Sequence, residues 1–402
     1  MRVLIADKFE KSGVEALTKA GCQVIDKAGV GADALADAVR EADAHVLVVR
    51  STKVNAKVFE EGKRLSLVVR AGAGYDTIDV GAASKKGVYI ANCPGKNSIA
   101  VAELAWGLIL ACDRRIANQN ADLKNGKWNK KEYSKARGLY GRTLGVIGLG
   151  QIGLAVVERA AAFGMPVVAW SRSLTDAAAE ELGIDRVESP LEVAKRADVI
   201  TLHVAATPDT KGMVNAAFCA ALKPNSILVN TTRGSVVDEA ALLKAMREKN
   251  IRVGLDVFAN EPAGGEAETS IEIARDPNCT STHHVGASTD QAQDAIAAEA
   301  ARIILEFKRT GAVPNVVNRQ RTSRATRLLS VRHLNRPGVL AHVVGEISKA
   351  GINIEEMENV IYDGADAACA RIQLDAEPTQ EAMLAIQSGS RHVLSVDLAI
   401  IQ

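Results

Sequence analysis

Aromatic side chains are scarce: Phe, Trp and Tyr make up 3% of the 402 residues. So thin a supply argues against a stacking platform for single-stranded nucleic acid. Neither charge sign dominates, since 49 Lys and Arg against 48 Asp and Glu leave a net charge of +1. Nothing in that total favours a polyanion or a membrane surface, and an anionic small substrate would need a local basic pocket. The six cysteines, at 22, 93, 112, 219, 279 and 369, form no C-x-x-C pair and show no metal-ligand spacing. They read as reduced thiols of a cytoplasmic protein with neither a disulfide frame nor a structural metal. No apolar run approaches the roughly 20 residues that span a bilayer. The opening Met1-Arg2-Val3-Leu4-Ile5-Ala6-Asp7 is too soon charged for a signal peptide.

What is present is a chain 47% hydrophobic, rich in Ala, Val, Leu and Ile, and long enough for two or three domains. Short apolar runs at Val3–Ala6, Val24–Ile25, Val46–Val49, Leu67–Val69 and Val88–Ala91 alternate with helical patterns such as Val14–Ala20 and Ala34–Glu41. That alternation predicts a parallel sheet covered on both faces. One long helix is expected from Ser98, capped by Asn97 or Ser98, to about Lys124. A second alternating unit has strand candidates at Leu144–Ile147, Pro166–Trp170, Val199–Val204, Ile227–Asn230 and Val253–Val257. A helical stretch from Ser288 to about Arg309 then returns to the first unit. Expected boundaries are a discontinuous first domain, 1–97 and 285–317, and a second domain, 98–284. A basic linker, 318–326, leads to a third domain, 327–402, whose strand-helix-strand-strand-helix-strand order fits a ferredoxin-like α+β fold. The expected class is two doubly wound Rossmann- or flavodoxin-like α/β domains plus that α+β module.

The strongest local signal is Gly148-Leu149-Gly150-Gln151-Ile152-Gly153, after the strand Leu144–Ile147 and before the helical Leu154–Phe163. In strand–turn–helix context a G-x-G-x-x-G run binds a dinucleotide. Gly148 permits the tight turn, Gly150 lets the pyrophosphate approach, and Gly153 lets helix and strand pack closely. The helix N-terminus offers unpaired N–H groups to the phosphates. The next strand should end in an acidic residue for the ribose of NAD, yet it reads Ala169-Trp170-Ser171-Arg172-Ser173. Ser171 would not repel a 2′-phosphate and Arg172 would pair with one, which tilts the choice toward NADP. Alternatively Arg172 stacks on adenine or faces solvent, and NAD is used.

Three charged residues, Arg233, Glu261 and His284, follow strand candidates in the second half. Oxidation of a hydroxy acid removes a proton from oxygen and a hydride from carbon. A histidine takes the proton, a carboxylate orients its ring and supports the imidazolium, and an arginine forks onto the substrate carboxylate. Taken alone, the same three residues also read as a surface cation, a loop carboxylate and a structural histidine.

Asn230-Thr231-Thr232-Arg233-Gly234, Asp256-Val257-Phe258 with Glu261-Pro262, and His284-Val285-Gly286-Ala287 resemble, in order, the three signatures of the D-isomer-specific 2-hydroxy acid dehydrogenases. The resemblance covers roughly residues 1–315. It implies NAD or NADP as cofactor, Arg233 as substrate anchor and Glu261 with His284 as the acid–base pair. It further implies Asp256 near the nicotinamide carboxamide, with His203 and Thr232 also beside the cofactor. Within the family, Val69-Arg70-Ala71-Gly72-Ala73-Gly74-Tyr75-Asp76 and Asn92-Cys93-Pro94-Gly95-Lys96-Asn97-Ser98 resemble the branch that oxidises 3-phospho-D-glycerate to 3-phosphohydroxypyruvate in L-serine biosynthesis. By that likeness Ala73, Gly74, Arg50, Lys53 and Asn97 hold the substrate.

Residues 327–402 resemble an ACT domain, with His333, Asn335 and Asn353 as implied contacts for an L-serine effector, or else a module that only dimerises. A homodimer or homotetramer is implied, with no nucleic-acid or membrane partner. Three positions depart from the family pattern: His283 and Ala205 stand where prolines are usual, and Ser171 where an acid is. Gly264-Gly265 and the acidic run to Glu268 are also unusual. The alternatives are an NADP-dependent glyoxylate or hydroxypyruvate reductase and, from another class, a cofactor-sensing corepressor-like protein.

Overall fold

The computed structural model describes residues 1–262, 266–320 and 322–401. Gly264 and Gly265, singled out above, lie outside them, as does Arg321 of the basic stretch. The chain forms two compact units, Met1–Asn318 and Arg319–Gln402.

The first unit holds two parallel sheets. In the smaller, β1 (Arg2–Ile5), β2 (Gln23–Asp26), β3 (Val46–Val49), β4 (Leu67–Arg70) and β5 (Tyr89–Asn92) run in the order β2-β1-β3-β4-β5. All four residues of β3 are buried, as a strand covered on both faces requires. In the larger sheet, β6 (Leu144–Ile147), β7 (Val167–Trp170), β8 (Asp185–Arg186), β9 (Val199–Leu202), β10 (Ile227–Asn230), β11 (Arg252–Leu255) and β12 (Cys279–Ser281) run β12-β11-β10-β9-β6-β7-β8. Both orders are doubly wound, and each reverses direction once, between β1 and β3 and between β6 and β9. Ligands of such sheets bind beyond the strand C-termini at that reversal.

The helix Asp290–Thr310 packs on Lys11–Lys19 and on β4, and residues 316–318 then join the β5 edge, where Val317 N–H donates to Ile90 O at 2.8 Å. The helix Ser98–Arg114 lies against Gln151–Ala160 and the β10–β12 side of the larger sheet. Trp106 anchors it: its ring stacks on Phe163 at 4.3 Å and its Nε1 donates to Val156 O.

The expected single helix from Ser98 to Lys124 is two helices, Ser98–Arg114 and Ile116–Lys124. Arg115 between them sits at φ 53°, held by Glu132 at 2.7 Å and lying over the Tyr133 ring. No Gly or Pro marks that break, so the tertiary contacts of one arginine set it. Asn97 is the N-cap, but its side chain caps nothing, and its Oδ1 is buried without a partner. The expected helix Leu154–Phe163 begins earlier, at Gln151, and ends in a 3-10 turn at Ala161–Phe163. Strands β8 and β12 are two and three residues long and carry too few apolar side chains to stand out in sequence.

The second unit has strands β13 (Arg327–Leu334), β14 (Ile354–Ile361), β15 (Ala367–Leu374) and β16 (Val393–Ile400) in the antiparallel order β14-β15-β13-β16. Two helices, Val339–Lys349 and Gln380–Ser388, share its core with Leu329, Val331, Ala370 and Ile372. All six cysteines are free thiols. Among the described residues no helix is long and apolar enough to cross a membrane.

Candidate active site

At the β6/β9 reversal, the Gly-rich turn closes on the end of β9. Gly148 has φ +98°, and a Cβ there would fall 2.6 Å from His203 O. A Cβ on Gly153 would fall 2.1 Å from Gly148 O. Neither position tolerates a side chain. A Cβ on Gly150, by contrast, meets nothing within 4 Å. Gly150 is also the N-cap of the helix Gln151–Ala160 and supplies no side-chain cap. Space and unpaired N–H groups thus coincide where a pyrophosphate fits. Gln151 turns outward, and its carboxamide lies against Gly95. Ile152 is half-buried.

His203 is buried, with Nε2 2.9 Å from Thr201 Oγ1 and Nδ1 without a partner. Burial pushes its pKa down to about 3, so the ring is neutral. Ser171 follows β7 directly. Arg172 is exposed, and its nearest carboxylate is Asp209 at 3.9 Å. No carboxylate occupies the ribose position itself, which fits either nicotinamide dinucleotide.

Beyond β10–β12 the three charged residues converge. Glu261 Oε2 lies 2.7 Å from His284 Nδ1, and Glu261 Oε1 accepts the Phe258 N–H at 2.9 Å. Burial tends to raise the Glu261 pKa, but the bonds from His284 and Phe258 and the charge of Arg233 together hold it below the ordinary carboxylate range. His284 has φ +53°, a conformation that costs a non-glycine residue about 1–2 kcal/mol. Asp256 maintains it. Its main-chain O accepts the His284 N–H, and its buried carboxylate accepts from Thr282 Oγ1 and the N–H groups of Val285 and Gly286 at 2.6, 2.9 and 2.9 Å. Asp256 thus fixes the loop that carries His284. His283 is exposed.

Arg233 sits in a turn built by Asn230. The Asn230 carboxamide accepts from both Thr232 N and Thr232 Oγ1 and donates to Arg233 O, so Thr232 is buried in this turn. A Cβ on Gly234 would strike the Phe258 backbone, so that glycine lets the Arg233 and Glu261 loops approach.

The other wall comes from the smaller sheet at its β1/β3 reversal. Asp7, just past β1, accepts the N–H groups of Arg50, Ser51 and Thr52 at 2.6–3.1 Å. That carboxylate shapes the Arg50–Lys53 loop. Arg50 Nη2 reaches Ser288 Oγ at 3.3 Å, whereas Lys53 is exposed. Asn92 Nδ2 donates to Ala73 O at 2.6 Å and fixes the Ala73–Gly74 loop. Arg70 is largely buried beside Arg233 and Arg50, with its Nε unpartnered. Burial first, then the two neighbouring guanidinium groups, push its pKa down to about 10. The site also draws on Asp7, Arg70, Asp76, Asn92 and Asn230, to which local sequence assigns no role. Four of them stand at or just past the end of an apolar strand, which is the signal that marks them.

In the second unit the three effector candidates do not meet. His333 is buried, bonded to Leu334 O and Asn359 Oδ1, and Asn335 Nδ2 donates to Ala365 O at 3.0 Å. Asn353 lies at the other end of the sheet, where its N–H donates to Asp375 Oδ1 at 2.9 Å. The β15 partners of His333 and Ile354 are Ala368 and Leu374. At about 3.3 Å per residue the two ends are roughly 20 Å apart.

Comparison with known proteins follows the same division. Residues 106–286 match the family model of the D-isomer specific 2-hydroxyacid dehydrogenase NAD binding domain, and residues 329–387 match an AHAS small subunit-like ACT domain. The chain is 37% identical over 376 residues to D-3-phosphoglycerate dehydrogenase of Methanocaldococcus jannaschii, covering 93% of this chain and 67% of that enzyme. It is 38% identical over 292 residues to glyoxylate reductase of Thermococcus litoralis, covering 71% of this chain and 86% of that one. Among solved structures, the NADPH-dependent glyoxylate/hydroxypyruvate reductase of Sinorhizobium meliloti, in complex with NADP and malonate, superposes with a TM-score of 0.67 at 28% identity, covering 80% of this chain and 99% of that one.

Proposed function

This chain belongs to the D-isomer specific 2-hydroxyacid dehydrogenases, and from that premise we propose that it oxidises 3-phospho-D-glycerate to 3-phosphohydroxypyruvate, the first step toward L-serine. It is an NAD- or NADP-dependent oxidoreductase. Three arginines carry the finer reading: Arg50, Arg70 and Arg233 stand close enough for each of the other two to depress the Arg70 pKa. One guanidinium suffices for a carboxylate. Three suit a substrate with a carboxylate at one end and a phosphate at the other.

A bound dinucleotide would supply the acceptor for the hydride that leaves C2 of the substrate. Its phosphates would rest on the Gly148–Gly153 turn. His284 donates Nδ1–H to Glu261, which leaves the Nε2 lone pair to take the proton from the substrate hydroxyl. Glu261, held ionised, stabilises the imidazolium that results. Arg233 holds the substrate carboxylate, the N–H groups of Ala73 and Gly74 line the same crevice, and Asn97 borders it. Arg50 and Arg70, with Lys53 at the rim, take the phosphate. The domain division follows: 1–97 with 285–317 binds substrate, 98–284 binds the dinucleotide, and 327–402 is regulatory. Because His333 and Asn335 lie far from Asn353 within one copy, an L-serine molecule touching all three would bridge two copies of a homodimer or homotetramer.

The test is a set of kcat/KM values for 3-phospho-D-glycerate, and for hydroxypyruvate and glyoxylate in the reducing direction, each with NAD(H) and NADP(H). A phosphate-free substrate handled better than the phosphorylated one overturns the assignment. It would favour the second reading, an NADP-dependent glyoxylate or hydroxypyruvate reductase, which rests on Ser171 standing at the ribose position.

A further inference from the structure

Arg233 carries five N–H donors, and its contacts account for three of them. Nη1 donates to Thr232 O at 2.8 Å. Nε and Nη2 donate to the two carboxylate oxygens of Asp76, at 3.2 and 3.0 Å. Asp76 belongs to the loop after β4 and Arg233 to the turn after β10, so the pair joins the two parallel sheets across the substrate crevice. The pairing is side-on. It consumes the Nε/Nη2 edge of the guanidinium and leaves one N–H on Nη1 and one on Nη2 for a second carboxylate. Gly74 lies directly beneath: a Cβ there would fall 2.3 Å from Arg233 Nη2 and 3.0 Å from Asp76 Oδ1. Burial works to raise the Asp76 pKa, but the hydrogen bond and charge of Arg233 hold it below the ordinary range.

We infer that Asp76 is a positioning residue for substrate binding, clamping the Arg233 guanidinium side-on so that its two remaining N–H groups face the carboxylate of the 2-hydroxy acid. This rests on Arg233 being the carboxylate anchor. An arginine side chain loses rotamer freedom when it grips a ligand, and a partner that has already ordered it removes that cost from binding. The clamp also keeps Arg233 from swinging onto Glu261, whose carboxylate already feels its charge. Were Asp76 instead an internal competitor sitting in the substrate's place, its removal would have the opposite sign.

Steady-state kinetics on the full chain decide between these. The assay uses whichever of 3-phospho-D-glycerate, hydroxypyruvate or glyoxylate the wild type turns over best, with Asp76→Asn, Asp76→Ala and Arg233→Lys compared side by side. Losing a hydrogen bond to a charged group should raise KM for the acid roughly tenfold in Asp76→Ala, with Asp76→Asn in between because one acceptor remains. The same variants should keep kcat within about threefold, the dinucleotide Kd within about twofold, and the thermal midpoint of the wild type. An unchanged KM overturns the clamp, and a lowered KM overturns it in favour of the competitor. If Arg233→Lys also leaves KM unchanged, the anchor assignment itself fails; a raised KM in Arg233→Lys alone removes only the role of Asp76.

Discussion

Glu261 and His284 are 23 positions apart in sequence and meet at 2.7 Å because a third residue, Asp256, ties the 282–286 loop to the end of β11. The bond occupies Nδ1, so the ring's other nitrogen is the one available to substrate. His284→Ala should therefore lower kcat by about 10²–10⁴-fold while the dinucleotide Kd stays within twofold. Glu261→Gln keeps the hydrogen bond but removes the charge, and should fall between wild type and His284→Ala. Turnover numbers with cofactor titrations check both, and a His284→Ala enzyme within threefold of wild type would remove His284 from the mechanism.

Two glycines of the nucleotide turn should fail in different ways. A methyl on Gly153 would collide with Gly148 O, so Gly153→Ala should lower the thermal midpoint as well as cofactor affinity. A methyl on Gly150 meets no protein atom, so Gly150→Ala should fold like the wild type and lose dinucleotide binding alone. Calorimetric scans with and without NAD separate the two. A destabilised Gly150→Ala, or a Gly153→Ala as stable as wild type, contradicts this division of labour.

The parallel sheets and the Gly-rich turn are legible because each is written locally, as apolar runs and a fixed glycine spacing, whereas Arg233, Glu261 and His284 read alone as ordinary loop residues and take on roles only through the family signatures that carry them. Arg115, which breaks the expected helix, was not legible, because its left-handed backbone is stabilised by Glu132 and Tyr133 from a later helix. Asp7, Asn92 and Asn230 fall between these cases. Each stands at or just past the C-terminus of an apolar strand, and each satisfies main-chain groups of the loop that presents a site residue. Their types were readable, but their partners are set by sheet order, which local sequence does not contain. The separation of His333 from Asn353 is likewise a property of strand pairing.

Asp7 supports a prediction about acid. Burial opposes its charge, but the N–H groups of Arg50, Ser51 and Thr52 outweigh that and lower its pKa in the folded state. A depressed carboxyl pKa contributes stability above the ordinary carboxylate value and loses it as the pH falls below. Asp7→Asn should thus be less stable than wild type at neutral pH by about 1–3 kcal/mol, with the gap closing toward pH 3. Denaturant midpoints at several pH values measure it. The same variant should raise the substrate KM, since the loop bearing Arg50 loses its brace. A gap that stays constant with pH would show that Asp7 acts through shape rather than charge.

His203 acts at higher pH. Its ring is buried and neutral, with a folded pKa of about 3 against an ordinary 6.5. Between those values the unfolded chain binds a proton that the folded chain does not, so stability falls as the pH drops from about 6.5. The slope is about 1.4 kcal/mol per pH unit for one proton. His203→Asn removes that proton from the balance and should flatten the decline between pH 6 and pH 4 by one proton's worth, whatever it costs at neutral pH. Parallel slopes for the two proteins would mean that His203 is protonated in the fold.

Cofactor choice turns on the residue after β7. Ser171 places no charge against a ribose 2′-phosphate, and Arg172 beside it is exposed, with Asp209 3.9 Å away as its nearest carboxylate. Ser171→Asp would add an anion at the ribose hydroxyls, favouring the free diol of NAD and repelling the phosphate of NADP. Two like charges about 4 Å apart repel by about 4 kcal/mol at an effective dielectric of 20. Solvent screening at so exposed a site cuts this to about 1–2 kcal/mol. The NADP-to-NAD ratio of kcat/KM should therefore fall roughly five- to thirtyfold in Ser171→Asp. Arg172→Ala tests the attractive half separately: if Arg172 pairs with the phosphate, the same ratio falls, and if it only faces solvent, the ratio holds. A Ser171→Asp enzyme that keeps the wild-type ratio would place the adenosine ribose away from the β7 end altogether.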